Sequence, residues 1–306
     1  MNEAEPIAPV VFIIFNRPDL TERVFREIAR ARPGKLFIIA DGARADRPNE
    51  AEKCAKTRQV VEDIDWDCEV FRNYSDTNLG CRKRISSGLD WVFSQTDRAI
   101  IIEDDCLPDP SFFLYCTELL ERYEDDERVG SINGSNFTHD RVVVEDSYFF
   151  SRYPLIWGWA TWRRVWQNYD VSISRWGTLR DIGWLNTVAH PDEFEHWIKA
   201  FNRVYEGGLD AWGYQFIFSQ WLQRQISIQP QHNLISNLGF RADATHTLDA
   251  SNVAELPRQG VEFPLRHPQV PATNFLADDI YMREHCYRKK KEKGLKRILR
   301  KIVPKR

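Results

Sequence analysis

The feature that most constrains this 306-residue chain is a series of short, unbroken apolar runs, each ending abruptly on polar residues. Val10 to Phe15 runs into Asn16-Arg17-Pro18. "KLFIIA" runs into Asp41-Gly42, and "RAIII" into Glu103-Asp104-Asp105. Strands that are apolar throughout, rather than at alternate positions, belong in a sheet covered on both faces. Helical spacing fills the gaps. It is seen in Val24, Phe25, Ile28 and Ala29, in a polar stretch at 49–63, in the segment after "NLG", and in "PSFFLYCTELLERYEDD". Asp19 or Thr21 would cap the first helix, and Asp109 the last. Cys68 to Tyr74 reads as a further strand. Alternating strands and helices predict an α/β fold with a mostly parallel sheet. Ligands of such sheets bind beyond the carboxyl ends of the strands, which is where the polar clusters fall.

The acidic triplet demands a partner. Three adjacent carboxylates repel, and burying one unpaired is costly. The positive group is an Arg or Lys, a helix N-terminus or a metal. Hard oxygen ligands suit Mg²⁺ or Mn²⁺, which take one or two carboxylates and complete their shell with water and substrate phosphates. A solvated acidic loop is the bland alternative.

From about residue 137 the pattern becomes Trp-rich: Trp157, Trp159, Trp162 and Trp166 lie within ten residues. Most of them read as core filler, while Trp157 and Trp159 suit an acceptor groove as well as a core. Asn133 and Asn136 either meet sugar hydroxyls or make turns.

"AIIIEDDCLPDPSFFLYCTELL" resembles the EDD segment of GT-A glycosyltransferases, in particular the N-acetylglucosaminyltransferase I type, whose bacterial relatives often carry a hemolysin-like label. The resemblance runs over roughly 8–248 through the ordered series NR, ADG, EDD, DAW, GFR and TH. It implies a GT-A fold with a nucleotide-sugar-binding half at 8–136 and an acceptor and catalytic half at 137–248 of the same domain. It further implies that Arg17 lies near the nucleotide, that Asp41 reads uracil, and that Asp105 coordinates Mn²⁺. Glu103 and Asp104 would lie against the ribose and the metal's waters. Asp210 would be the catalytic base, with Arg241 and His246 around the diphosphate. The expected activity is metal-dependent, inverting transfer of a hexosyl or N-acetylglucosaminyl group from a UDP-sugar to a glycan or lipid-linked acceptor. Two departures stand out: Leu209 replaces a Trp beside the base, and a single Asp replaces a pair.

The chemistry agrees with these roles. A leaving diphosphate needs cationic stabilisation, and an acceptor hydroxyl needs a proton acceptor. On residue physics alone, Asp210 is as well placed to cap the helix that follows it. Arg82, Lys83 and Arg84 either approach the phosphates or form a solvated helix start. Two rival functions remain. A sugar nucleotidyltransferase shares the sheet and the metal, but "FNRPDLTER" lacks a Gly-rich basic loop. A non-catalytic carbohydrate-binding protein would account for the Trp content without a metal triplet.

Charge separates the last segment from the rest. Residues 288–306, after a Pro-rich wrap and helix at 249–287, hold eleven Lys/Arg and one Glu. The tail alone carries +10 of a net −3, leaving −13 for the remainder. An acidic body argues against nucleic acid as a ligand. In the tail, Leu295, Ile298, Leu299 and Ile302 follow helical spacing, predicting a basic amphipathic segment that meets the inner leaflet of the plasma membrane. Six cysteines without metal spacing read as cytoplasmic thiols. The N-terminal apolar run lacks a basic flank, and no stretch reaches spanning length.

Overall fold

The computed structural model describes residues 6–138, 141–240 and 256–285. The chain order is β1 (Val10–Ile14), α1 (Pro18–Ala31), β2 (Lys35–Ala40), α2 (Glu50–Val60), β3 (Glu69–Tyr74), α3 (Cys81–Phe93), β4 (Arg98–Glu103), β5 (Cys106–Pro108), α4 (Ser111–Arg122), β6 (Val129–Asn133), β7 (Tyr148–Ser151) and β8 (Trp159–Trp162). It continues with α5 (Arg163–Trp166), α6 (Trp176–Asp181), α7 (Phe194–Tyr205), α8 (Gly213–Leu222), β9 (Ile226–Pro230), β10 (Ile235–Asn237) and α9 (Phe275–His285).

Eight strands form one sheet in the order β3-β2-β1-β4-β8-β6-β9-β7, and β10 pairs with β5 in a second, two-stranded sheet. β3, β2, β1 and β4 are mutually parallel. β8 is antiparallel to both β4 and β6, and β7 is antiparallel to β9. This is the expected α/β class with a mostly parallel sheet flanked by helices. The register Val11↔Phe37 puts Phe12 and Phe37 on opposite faces. Phe12 meets Phe25 of α1 with ring centroids 6.3 Å apart, and Phe37 meets Trp91 of α3 at 5.5 Å. The sheet is therefore covered on both sides, which is why its central strands are apolar throughout.

α1 departs from expectation at its start. Neither Asp19 nor Thr21 is the cap: the helix begins at Pro18, and Arg17 precedes it without a capping side chain. Proline lacks the N–H that a first turn leaves unpaired, and its φ is already helical. Asp109 does serve α4, accepting the Ser111 N–H at 3.0 Å.

The Trp-rich half supplies β8 to the main sheet and builds a second core from Tyr153, Trp176, Trp197, Phe201, Phe218 and Trp221. Trp159, Trp162 and Trp166 are buried packing residues. Residues 256–274 run over the surface, with the Gln259 N–H on the Asn233 carbonyl at 2.9 Å, the Val261 N–H on Ser111 Oγ at 3.0 Å and the Arg266 N–H on Ser147 Oγ at 2.9 Å. α9 is fixed by a buried network: Asp278 accepts from Ser151 Oγ at 2.6 Å and Arg152 Nε at 3.2 Å, and Arg152 also reaches Glu193 at 3.1 Å. None of the described helices is long and apolar enough to cross a membrane.

Candidate active site

The carboxyl ends of β1, β2 and β4 open on a cavity of about 370 Å³, closed on its far side by Ile156, Trp157 and residues 210–213. Arg17, Asp41, Glu103, Asp104, Asp105 and Asp210 all line it. Arg241 and His246 lie outside the described residues.

The positive partner of the acidic triplet is Arg17. The turn after β1 aims its guanidinium at β4's end, where it donates from Nη2 to Asp104 and from Nη1 to Asp105 Oδ2 at 2.9 Å. The Phe15 N–H adds a bond to Asp104 at 3.2 Å. Arg17 is held firmly charged by its two acidic partners, which outweigh its burial together. One guanidinium does not balance three carboxylates. Burial first, then Asp105 and Asp104, push the Glu103 carboxyl above the usual range, with Arg17 opposing. Burial also raises Asp104, against the pull of Arg17.

Asp105 is approached from above by the segment after β10. The Leu238 N–H donates to its carbonyl at 2.7 Å. A Cβ at Gly239 would overlap its carboxylate, so only glycine fits there. Asp41 is buried and already occupied: it accepts from the N–H groups of Gly42 at 2.9 Å, Leu79 at 2.9 Å and Gly80 at 3.1 Å, and from Asn78 Nδ2 at 3.0 Å. Its carboxylate thus folds the 78–80 turn against β2. Burial raises its pKa despite these donors.

Asp210 is a cap, but of a different helix from the one predicted. α8 starts at Gly213 without a side-chain cap. Asp210 instead reaches across the cavity to the start of α3, accepting the Cys81 N–H at 3.0 Å and the Arg82 N–H at 2.8 Å. An anion at a helix N-terminus satisfies orphan amides and meets the positive end of the dipole. The contact ties the two walls of the cavity together. Gly80 makes it possible: its φ is +79°, and a Cβ there would lie 2.8 Å from the Asp210 carboxylate.

Other candidates resolve into structural roles. Asn133 is fully buried, donating to the Tyr153 carbonyl at 3.2 Å and accepting the Leu155 N–H at 3.1 Å. Asn136 braces the carbonyls of Pro230 and Gln231. Arg84 is buried and donates to Asn73, whereas Lys83 is exposed. Trp157 lines the cavity and packs edge-on to Phe240 and Phe137. Phe15 and Arg44 were missed by sequence reasoning. Arg44 lies 5.5 Å over the Phe15 ring and is held by Glu50 at 2.5 Å. Arg44 stands two residues after Gly42, yet nothing in the sequence there announces a partner at Glu50.

Among the described residues, no group of three or more His, Cys, Asp or Glu converges as a ready-made metal site. The excess of carboxylate over guanidinium nonetheless fits Mg²⁺ or Mn²⁺ bound through one or two protein oxygens. Asp105 and Glu103 both line the cavity.

No family model and no curated protein matches the chain. Solved structures do. UDP-glucose pyrophosphorylase complexed with UDP-glucose matches with a TM-score of 0.36 and 11% identity, over 73% of this chain and 90% of that one. A cytidylyltransferase from Leptospira borgpetersenii matches at 0.33 and 9%, over 57% and 68%. 4-Diphosphocytidyl-2C-methyl-D-erythritol synthase from Anaerococcus prevotii matches at 0.33 and 12%, over 53% and 75%. None of these is an N-acetylglucosaminyltransferase, so the resemblance to that type has no counterpart among them. At these scores the likeness carries no argument about fold or activity.

Proposed function

We propose that the cavity binds a nucleoside-diphosphate sugar, UDP-linked, and passes its glycosyl group to an acceptor hydroxyl with inversion. The observation that carries this reading is the surplus of carboxylate at β4's end, paired with one guanidinium and facing a further carboxylate across a ligand-sized cavity. Such a strand-end cluster suits a divalent cation holding a diphosphate. That cation would sit on Asp105, with Glu103 beside it, and supplies charge neutralisation of the leaving group. Arg17 orients Asp104 and Asp105 and adds positive charge at the same edge. Asp41 and Asn78 shape the wall nearest β2, and Phe15 offers a ring face to a base. Each Asp210 oxygen keeps a lone pair beyond its amide bond, so the carboxylate can accept an acceptor proton while α3 fixes its position. Trp157 offers a flat apolar surface to a glycan or lipid-linked acceptor. GlcNAc or a related sugar is the donor residue that the family resemblance favours.

Nucleotidyl transfer is the competing reading, and two of the compared structures bear names of that kind. The path from β1 to α1 weighs against it: only Phe15, Asn16 and Arg17 separate the elements, leaving no Gly-rich loop to wrap a triphosphate. Product analysis separates the two. Incubation with UDP-sugars, Mn²⁺ and candidate acceptors is expected to release UDP. Release of pyrophosphate from UTP and a sugar 1-phosphate, without UDP formation, would establish the nucleotidyl reading instead.

A further inference from the structure

Arg84 is a buried cation whose neighbours do not account for it. It stands near the start of α3, is 5% exposed and lines the cavity. Its Nη2 donates to the Asn73 carbonyl at 2.7 Å and to Asn73 Oδ1. These are its only side-chain hydrogen bonds among the described residues, and its Nε is buried without a partner. Burial lowers its pKa most, Asp41 opposes, and Arg58 adds to the lowering. Asp41 does not pair with it, because the Asp41 oxygens already accept from the Gly42, Leu79 and Gly80 N–H groups and from Asn78. A guanidinium carries five N–H donors, and burying a charge unpaired is costly. Spare donors beside a cavity suit an acceptor that the protein does not supply.

Asn78 is the complement of Arg84. Its Nδ2 donates to Asp41 Oδ2 at 3.0 Å and to the Gly42 carbonyl at 2.9 Å. Both amide N–H groups are thereby spent. The amide cannot be turned over, since Oδ1 would then face two acceptors. What Asn78 has left for the cavity it lines is the acceptor Oδ1. Asp41 therefore fixes Asn78 rather than meeting a ligand itself.

Position separates this pair from the diphosphate. Glu103, Ile13, Ile39 and Asn73 form one row across β4, β1, β2 and β3. Three strand spacings of roughly 4.8 Å put Asn73, where Arg84 is anchored, about 14 Å from the acidic triplet. A diphosphate held at the triplet does not reach that far, but the nucleoside attached to it does.

We propose that Arg84 and Asn78 read the base. Asn78 Oδ1 accepts the N3–H of uracil, and Arg84 donates to the adjacent carbonyl oxygen O4. Cytosine presents the reverse pattern, a bare N3 and an amino group, and leaves both protein groups unpaired. The assignment rests on the reading of the cavity as a nucleotide-sugar site, and it gives Asp41 a supporting role in place of the direct contact with uracil that the family resemblance implies.

The test is isothermal titration of the full chain with UDP, CDP and N3-methyl-UDP in Mn²⁺. UDP is expected to bind at least about tenfold more tightly than either of the others, since each leaves a buried polar group unpaired. Arg84→Met, checked for folding by circular dichroism, should weaken UDP about tenfold or more and change CDP little, so that the preference is lost. Equal affinity for UDP and CDP, or for UDP and N3-methyl-UDP, would overturn the base assignment and leave the nucleotide reading standing. A folded Arg84→Met variant that keeps the wild-type preference would also overturn it. Failure of all three ligands to bind folded wild type would overturn the nucleotide reading and this assignment together. The comparison of ligands on the wild-type chain decides the matter even where the variant does not fold.

Discussion

Arg17 is the residue on which three adjacent carboxylates depend. Replacing it with Ala leaves Asp104 and Asp105 without their counter-charge. Because its side chain keeps 21% exposure, we expect a loss of roughly 2–3 kcal/mol, below the figure for a broken fully buried pair, read by urea denaturation. The pH dependence has a definite sign. Glu103 and Asp104 hold their protons more tightly folded than unfolded. Their contribution to stability is therefore full below the ordinary carboxylate range and is lost as pH rises through their raised values. In EDTA, Glu103→Gln should flatten the fall of melting temperature over that window, and a wild-type curve that matches the variant's would contradict the assignment. Gly80→Ala should cost about 1–3 kcal/mol for its backbone conformation. Part of this should vanish in an Asp210→Ala background, since the Cβ clash is with that carboxylate; strict additivity in the double-mutant cycle would show that the two do not touch. At this scale the sequence announced that the triplet needs a cation but left open which. The partner of Asp210 was illegible, because Cys81 and Arg82 are more than a hundred residues away and offer only backbone N–H groups.

At the scale of elements, β1, β2 and β4 were legible because burial on both faces leaves a composition signal that survives without any alignment, whereas β3 is an edge strand with no buried residue. The second half was not. β8 is the four residues Trp-Ala-Thr-Trp, and only the tertiary fold inserts it antiparallel between β4 and β6. Most of the Trp cluster read as core filler, with Trp157 and Trp159 suited equally to a groove, and burial assigns Trp159, Trp162 and Trp166 to the core. α9's docking was equally hidden, since an Asp inside a helix ordinarily marks its solvent face. Asp278→Ala strips the partner from Ser151 Oγ and from one side of Arg152. It should cost about 2–3 kcal/mol and speed amide exchange in 275–285 well beyond that of α4. Equal protection in the variant would mean that α9 is held by its apolar contacts alone.

For the whole molecule, the cavity exists because two chain segments meet. Strand ends of the first half supply its acids and Arg17, and residues 156–157 and 210–213 supply its opposite wall. Asp210 on α3 is the clasp between them. A nucleotide bridging both walls should stabilise the fold by mass action. The most direct measurement is the melting temperature of the full chain with UDP, in the presence and absence of Mn²⁺, for wild type and Asp105→Ala. The account predicts an upward shift that requires both UDP and Mn²⁺ and is abolished in the variant. No shift with any nucleoside diphosphate, from folded protein in Mn²⁺, would contradict it.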